Sequence, residues 1–358
     1  MITTFSTRYE DARNKFLMHC DGFKIAVDSR LHPHVRGCDN EKLFIDVAVI
    51  GSRKAENTIF ILSGTHGVEG YCGSGIQSHL LASSFFSSLP DEVNIVLVHG
   101  INPYGFSHMR RVNEQNVDLN RNFISFGHSL PENTAYRQVH DFIAPKLWMN
   151  GGKEAADLSL KNHIEKYGMR SLVDAVTGGQ YEFSDGLFYG GKKATWSRTT
   201  FESIMKDYSA YSSNIAVIDI HTGLGPYGHG ELITLGGVKS RLKAERFYGN
   251  QVTRPEDGDS SSSILEGTLG AAVSRLLSNK DTTYVTLEFG TRDKLVVLDA
   301  LRADNWLHQH ANTDNPMTKP IRAQLMDAFF PNEQIWNNAV CARAEEIVLK
   351  TIIGIKSL

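Results

Sequence analysis

The chain has 358 residues, 41% hydrophobic and 22% charged, which is enough apolar material for a large core and too little charge bias for disorder. A formal net charge of −3, with no basic run longer than Arg110-Arg111 or Lys192-Lys193, gives no footing for nucleic-acid binding. No apolar run approaches the roughly eighteen residues of a membrane span, and the polar N-terminus lacks an apolar signal core, so a cytoplasmic protein that does not engage membranes is expected.

Short apolar runs rich in Val and Ile, read as buried strands, fall at 45–50, 58–62, 94–98, 215–220, 231–235 and 284–289. Near-continuous apolar runs suit strands covered by helices on both faces. Helical spacing falls between them at 75–83, 132–147, 265–277 and 337–353. Alternation of strand and helix predicts an α/β sheet. The Gly-rich, charged stretch 151–200 reads as an irregular excursion from the same domain. Cys20, Cys38, Cys72 and Cys341 form no CxxC pair, so reduced and mostly buried thiols are expected.

Four segments carry chemistry. The predicted strand at 58–62 runs into His66-Gly-Val-Glu69, and three-residue spacing brings an imidazole and a carboxylate to one side of a turn. After the strand at 94–98 come Arg110, Arg111, Asn113, Asn116, Asp118, Asn120, Arg121 and Asn122, a density of guanidinium and amide groups suited to an anion. The strand at 215–220 ends at His221, placed as His66 is. Two histidines and a carboxylate with an open position make a catalytic metal set. Glu288, inside the apolar strand at 284–289, is costly to bury without a purpose, and a carboxylate beside activated water serves as a general base.

In this order, HGVEG, NPYGF with RVN and VDLNRNF, DIHTG and TLEFG resemble the motifs of the zinc carboxypeptidase family, spanning His66 to Glu288. The resemblance implies one α/β domain over 1–358, with a twisted mixed β-sheet flanked by helices and one zinc ion at the strand ends. It implies that His66, Glu69 and His221 bind zinc and that Glu288 is general base and acid. It assigns Arg111, with Arg110 as its rival, to the scissile carbonyl, and Asn120 and Arg121 to a substrate carboxylate. Asp118 would orient His66 through the far ring nitrogen.

The family's digestive members carry a mobile Tyr ahead of the catalytic Glu. Here that region, DGDSSSSILEGTLGAAV, has none, leaving Tyr227 and Tyr248 as candidates. Acylamino-acid hydrolases such as desuccinylases and aspartoacylases share the metal pattern. The expected substrate is therefore a peptide or an N-acyl amino acid, and a non-catalytic metal-binding module is the remaining alternative. Nickel, cobalt or iron suit the same donors. Asp219, His229 and Glu231 are candidates for a second ion, with a structural role expected for them.

Overall fold

The computed structural model describes residues 4–127, 129–311 and 315–357. These form one eight-stranded mixed sheet: β1 (Val27–Arg36), β2 (Lys42–Ile50), β3 (Asn57–Leu62), β4 (Val93–His99), β5 (Asn214–Tyr227), β6 (Gly230–Ile233), β7 (Val252–Thr253) and β8 (Asp281–Gly290). Their order is β1-β2-β4-β3-β5-β8-β6-β7. The central four, β4, β3, β5 and β8, are parallel, with β2 antiparallel to both β1 and β4 and β6 antiparallel to β8.

The strand alternation sorts side chains between two cores. Ile59, Ile61, Ile95, Leu97, Ile218 and Ile220 join Phe16, Ile76 and Trp336 on one face. Phe60, Leu62, Val96, Val98, Ile215 and Val217 join Phe201, Ile204 and Leu269 on the other. Helices Tyr9–Gly22, Gly70–Ala82 and Gln334–Lys356 cover the first face, and Trp196–Tyr208 and Leu269–Leu276 the second. Burial on both sides explains why these strands read as unbroken apolar runs. No helix among the described residues is long and apolar enough to cross a membrane.

The strand at 231–235 is Gly230–Ile233. Two strands have no apolar signature: β1, VDSRLHPHVR, pairs only with β2 at the sheet edge and is largely exposed, and β7 spans two residues. The helix expected at 132–147 is Thr134–Ile143, started by the Asn133 side chain, which accepts from Tyr136 N at 2.9 Å. The helix expected at 265–277 is Leu269–Leu276, because Gly267 takes φ +69° and Thr268 caps it. The stretch 151–200 is more regular than its composition suggests. It holds helices Gly152–Tyr167 and Met169–Thr177, separated at Gly168 by φ +83°, and the start of Trp196–Tyr208. Cys20, Cys72 and Cys341 are buried, Cys38 is exposed, and all four are unpaired.

Beyond β3 the chain turns sharply before entering helix Gly70–Ala82. This turn is pinned to the segment after β4: Gly67 N donates to Arg111 O at 3.1 Å and Val68 N to Arg110 O at 2.8 Å. It also presses on the short helix Pro103–Ser107, so a Cβ on Gly67 would fall 2.0 Å from the Gly105 carbonyl carbon and 2.3 Å from Phe106 N. Backbone cannot yield there as a side-chain tip would. Gly67→Ala is expected to lower stability by about 3 kcal/mol, read as a lower urea midpoint at unchanged slope; an unchanged midpoint would contradict this packing.

Candidate active site

The parallel strands deliver the site. Leu62 at the end of β3 sits opposite Asp219 of β5, and His221, two residues on, sits opposite Glu288 of β8. The turn after β3 swings His66 and Glu69 over the same strand ends, where ligands of α/β sheets bind. Donor atoms of His66, Glu69 and His221 lie within 4.8 Å of one another, and all three residues are buried.

His66 Nδ1 is 2.8 Å from Glu69 Oε1, His221 Nδ1 is 3.0 Å from Glu69 Oε2, and the two Nδ1 atoms are 3.2 Å apart. The far nitrogens face carboxylates. His66 Nε2 is 3.1 Å from Asp118 Oδ1, as expected of Asp118. His221 Nε2 is 2.9 Å from Asp219 Oδ2, a charge contact without hydrogen-bond alignment. Asp219 also accepts from Thr65 Oγ1 at 2.9 Å and from the Tyr284 hydroxyl at 3.0 Å. With protons on both Nε2 atoms, two imidazole lone pairs and a carboxylate face one point. That donor set fits a divalent cation of the zinc type.

Charge governs the protonation of these groups. Burial alone would raise the Glu69 carboxyl, but His66 and His221 hold it below its ordinary value. Burial likewise opposes ionisation of Asp118, and Arg111 and His66 overcome it to hold that carboxyl well below the usual range. Burial would lower His221; Asp219 and Glu69 instead raise it well above an ordinary imidazole. Glu288 goes the other way, pushed up to about 8 by burial and by Glu69.

The two adjacent arginines part company. Arg110 points away, its Nε 3.2 Å from Asp304 Oδ2 and its Nη2 3.2 Å from Asn116 Oδ1. Arg111 reaches the site, donating from Nε to Asp118 Oδ2 at 3.0 Å and from Nη1 to Glu69 Oε1 at 3.1 Å. Arg121 donates to the Thr177 carbonyl from Nε at 3.2 Å and from Nη2 at 2.5 Å, and from Nη1 to its neighbour's carbonyl, Asn120 O, at 2.9 Å. Only 2% exposed, it has no carboxylate within salt-bridge distance among the described residues, and burial lowers its affinity for its proton. Asn120 is held by Leu269 N, which donates to its Oδ1 at 2.8 Å.

Arg111, Asn120, Arg121, Glu288 and the His66–Glu69–His221 group share one cavity of about 150 Å³. Glu288 accepts from Leu224 N at 3.0 Å. Arg111 and Arg121 both face the Phe188 ring, at 5.1 and 5.5 Å. The expected tyrosines lie elsewhere: Tyr248 is buried against Thr351 at 2.8 Å, and Tyr227 stacks under Arg292 at 5.5 Å. Glu231 accepts from Thr253 Oγ1 at 2.6 Å and from Ser261 N at 3.1 Å, which is a structural use. Asp219 stands behind a histidine rather than in a second ion site. Its spacing of two from His221 on a strand, which puts both on one face, is the signal that identifies it. The cavity's apolar wall from helix Met169–Thr177 was hidden in the stretch read as irregular, although 169, 172, 173 and 176 keep helical spacing.

Among solved structures, the chain is similar to bovine thrombin-activatable fibrinolysis inhibitor in complex with tick carboxypeptidase inhibitor: 12% identity, 96% of this chain and 98% of that one covered, TM-score 0.45. It is also similar to carboxypeptidase A from Helicoverpa armigera, at 13% identity, 91% and 74% coverage and TM-score 0.44. An aspartoacylase family protein from Mesorhizobium loti shares 12% identity over 81% of this chain and 68% of that one, with TM-score 0.39. No curated protein matches the chain. The family described as "Protein of unknown function (DUF2817)" matches residues 5–343, and the chain belongs to that family.

Proposed function

We propose that this chain is a zinc-dependent hydrolase that cleaves an amide bond next to a substrate carboxylate. The observation that carries the reading is the meeting, in one cavity, of His66, Glu69 and His221 with Glu288, Arg111 and the buried Arg121 cation, which has no carboxylate within salt-bridge distance among the described residues. Zinc, when held by the first three, supplies a Lewis acid that polarises a carbonyl and acidifies water.

The protein's own groups do the rest. Glu288, whose carboxyl is poised near neutrality, takes a proton from the attacking water and returns it to the departing nitrogen. The water oxygen joins the acyl carbon, the C–N bond breaks, and an amine and a carboxylic acid leave. Arg111, fixed by Glu69 and Asp118, holds the carbonyl oxygen as negative charge builds on it. Arg121 and Asn120 anchor the substrate carboxylate, which supplies the counter-charge that Arg121 lacks. A carboxypeptidase-like reaction on peptides uses every one of these groups. Deacylation of an N-acyl amino acid uses the same set and is favoured by the apolar side chains of helix Met169–Thr177 beside Arg121.

Glu288→Gln is expected to retain zinc, measured by elemental analysis, and to lose about 1,000-fold in kcat on a panel of peptides and N-acyl amino acids. Turnover within a few-fold of the parent would remove Glu288 from the mechanism. Zinc bound with no turnover on that panel by the parent protein would favour a metal-binding module. Asp118→Asn and Asp219→Asn are each expected to weaken zinc affinity by about 10–100-fold in competition with a chelator; unchanged affinity would detach these carboxylates from the metal.

A further inference from the structure

The cavity has a polar end and an apolar one. Arg121 touches the Thr177 carbonyl, at the C-terminal end of helix Met169–Thr177. From there that helix lines the cavity with Val176, Val173, Leu172 and Met169, one face read backwards along the helix. Seven rises of 1.5 Å from Met169 to Val176 make a stripe about 10 Å long, the span of roughly eight extended methylene groups. Leu298 and Leu301 of helix Lys294–His310 also line the cavity, and the two helices share a core with Val68, the residue between His66 and Glu69. The stripe and the catalytic turn are thus built into one apolar core. At its outer end it opens to solvent, where Met169 is 36% and Leu295 39% exposed.

A stripe of that length exceeds any single aliphatic side chain. Its chemistry also disfavours a peptide, which would bring an amide N–H and C=O with every residue and leave them unpaired against hydrocarbon. The serine hydroxyls of the facing loop are engaged. Ser261 Oγ bonds Glu231 at 2.5 Å, Ser262 Oγ the Ser263 carbonyl at 3.3 Å, and Ser263 Oγ receives Thr177 Oγ1 at 3.2 Å. Among the described residues the carboxylates lining the cavity are Glu69 and Glu288, and the other charged group on the apolar side is the cation Lys294 beside Leu295, so nothing along the stripe matches a cationic tail. A hydrocarbon chain needs no polar partner and removes exposed apolar surface from water.

We infer that the substrate is an N-acyl amino acid with an acyl chain of about eight carbons or more. Its carboxylate sits on Arg121, its amide at the His66–Glu69–His221 group and its hydrocarbon along the 169–176 stripe. The inference rests on the amide-hydrolase reading. Hydrolysis then adds water across the C–N bond to give a fatty acid and a free amino acid.

The test is a series of N-acetyl-, N-octanoyl- and N-dodecanoylalanine, kept below micellar concentrations. kcat/KM is measured on the zinc-loaded protein, and dissociation constants are measured by calorimetry on zinc-loaded Glu288→Gln. From acetyl to dodecanoyl, kcat/KM is expected to rise, and the dissociation constant to fall, by about 100-fold or more, since each buried methylene contributes roughly fourfold. Val173→Asp, which sets a charge in the stripe, should cut that ratio below tenfold. Equal turnover of acetyl and dodecanoyl substrates would overturn the inference and keep the hydrolase reading. Chain-length-dependent binding without turnover by the parent would support the acyl site and sink the hydrolase reading. An apolar tripeptide hydrolysed faster than dodecanoylalanine would overturn the inference in favour of a peptidase, and no binding by any member would overturn both.

Discussion

Glu69, Asp118, Asp219 and Glu288 are buried around two imidazoles at the ends of β3, β5 and β8, and their charges must be balanced where water cannot help. A buried carboxylate without a partner costs several kcal/mol. Arg111 offsets part of this by bonding Glu69 and Asp118 together, and the histidines answer Glu69, Asp118 and Asp219. Glu288 receives only one backbone N–H, from Leu224, and lies near Glu69, which is why its carboxyl holds its proton so much more tightly. Two acids of one type are thus driven apart by their surroundings: Glu69 is kept ionised, as a cation ligand needs, and Glu288 is left able to gain and lose a proton, as a base needs.

This cluster exists because of sheet register. Parallel pairing sets Leu62 opposite Asp219 and His221 opposite Glu288, so residues from three distant stretches of sequence arrive at one end of the sheet. Both faces of these strands are buried, so a slip by one residue would send Asp219 and His221 into an apolar core and core residues into the site. The helix packing that holds the register therefore also holds the chemistry. The turn from Gly64 to Gly70 does the same locally, since its backbone is bonded to the Arg110–Arg111 segment and can approach it only without a side chain at Gly67.

What could be read in the sequence follows from this division. Strands buried on both faces announce themselves by composition; His221 and Glu288 stand out within such runs, and His66 and Glu69, three apart, stand out just after one. Edge strand β1 was not legible, because a strand with one exposed face and one partner needs no apolar run. Nor could the sequence separate Arg110 from Arg111: adjacent residues point to different sides, and Arg110 is drawn away by Asn116 and by Asp304, which lies far along the chain. Helix Gly152–Tyr167 escaped notice because it buries little more than Ala156 and so carries no strong apolar stripe.

The same division separates chemistry from selectivity. The reacting groups sit on rigid strand ends and their adjoining turns, while the wall that would meet the rest of a substrate comes from helix Met169–Thr177, outside the sheet. Its apolar face is split between two tasks. Leu172, Ala175 and Val176 belong to the core of Tyr136, Val139 and Val297, which fixes the helix; Leu172 and Val176 also back the cavity wall, on which Val173 and Met169 keep more of their surface open. Arg121 joins the two parts, anchored to the Thr177 carbonyl on one side and set on the other next to Asn120, whose backbone N–H donates to Asp118, the partner of His66. A shift of the helix would move the guanidinium relative to the strand ends. Selectivity and catalytic alignment are therefore coupled through one buried cation that has no carboxylate of its own among the described residues.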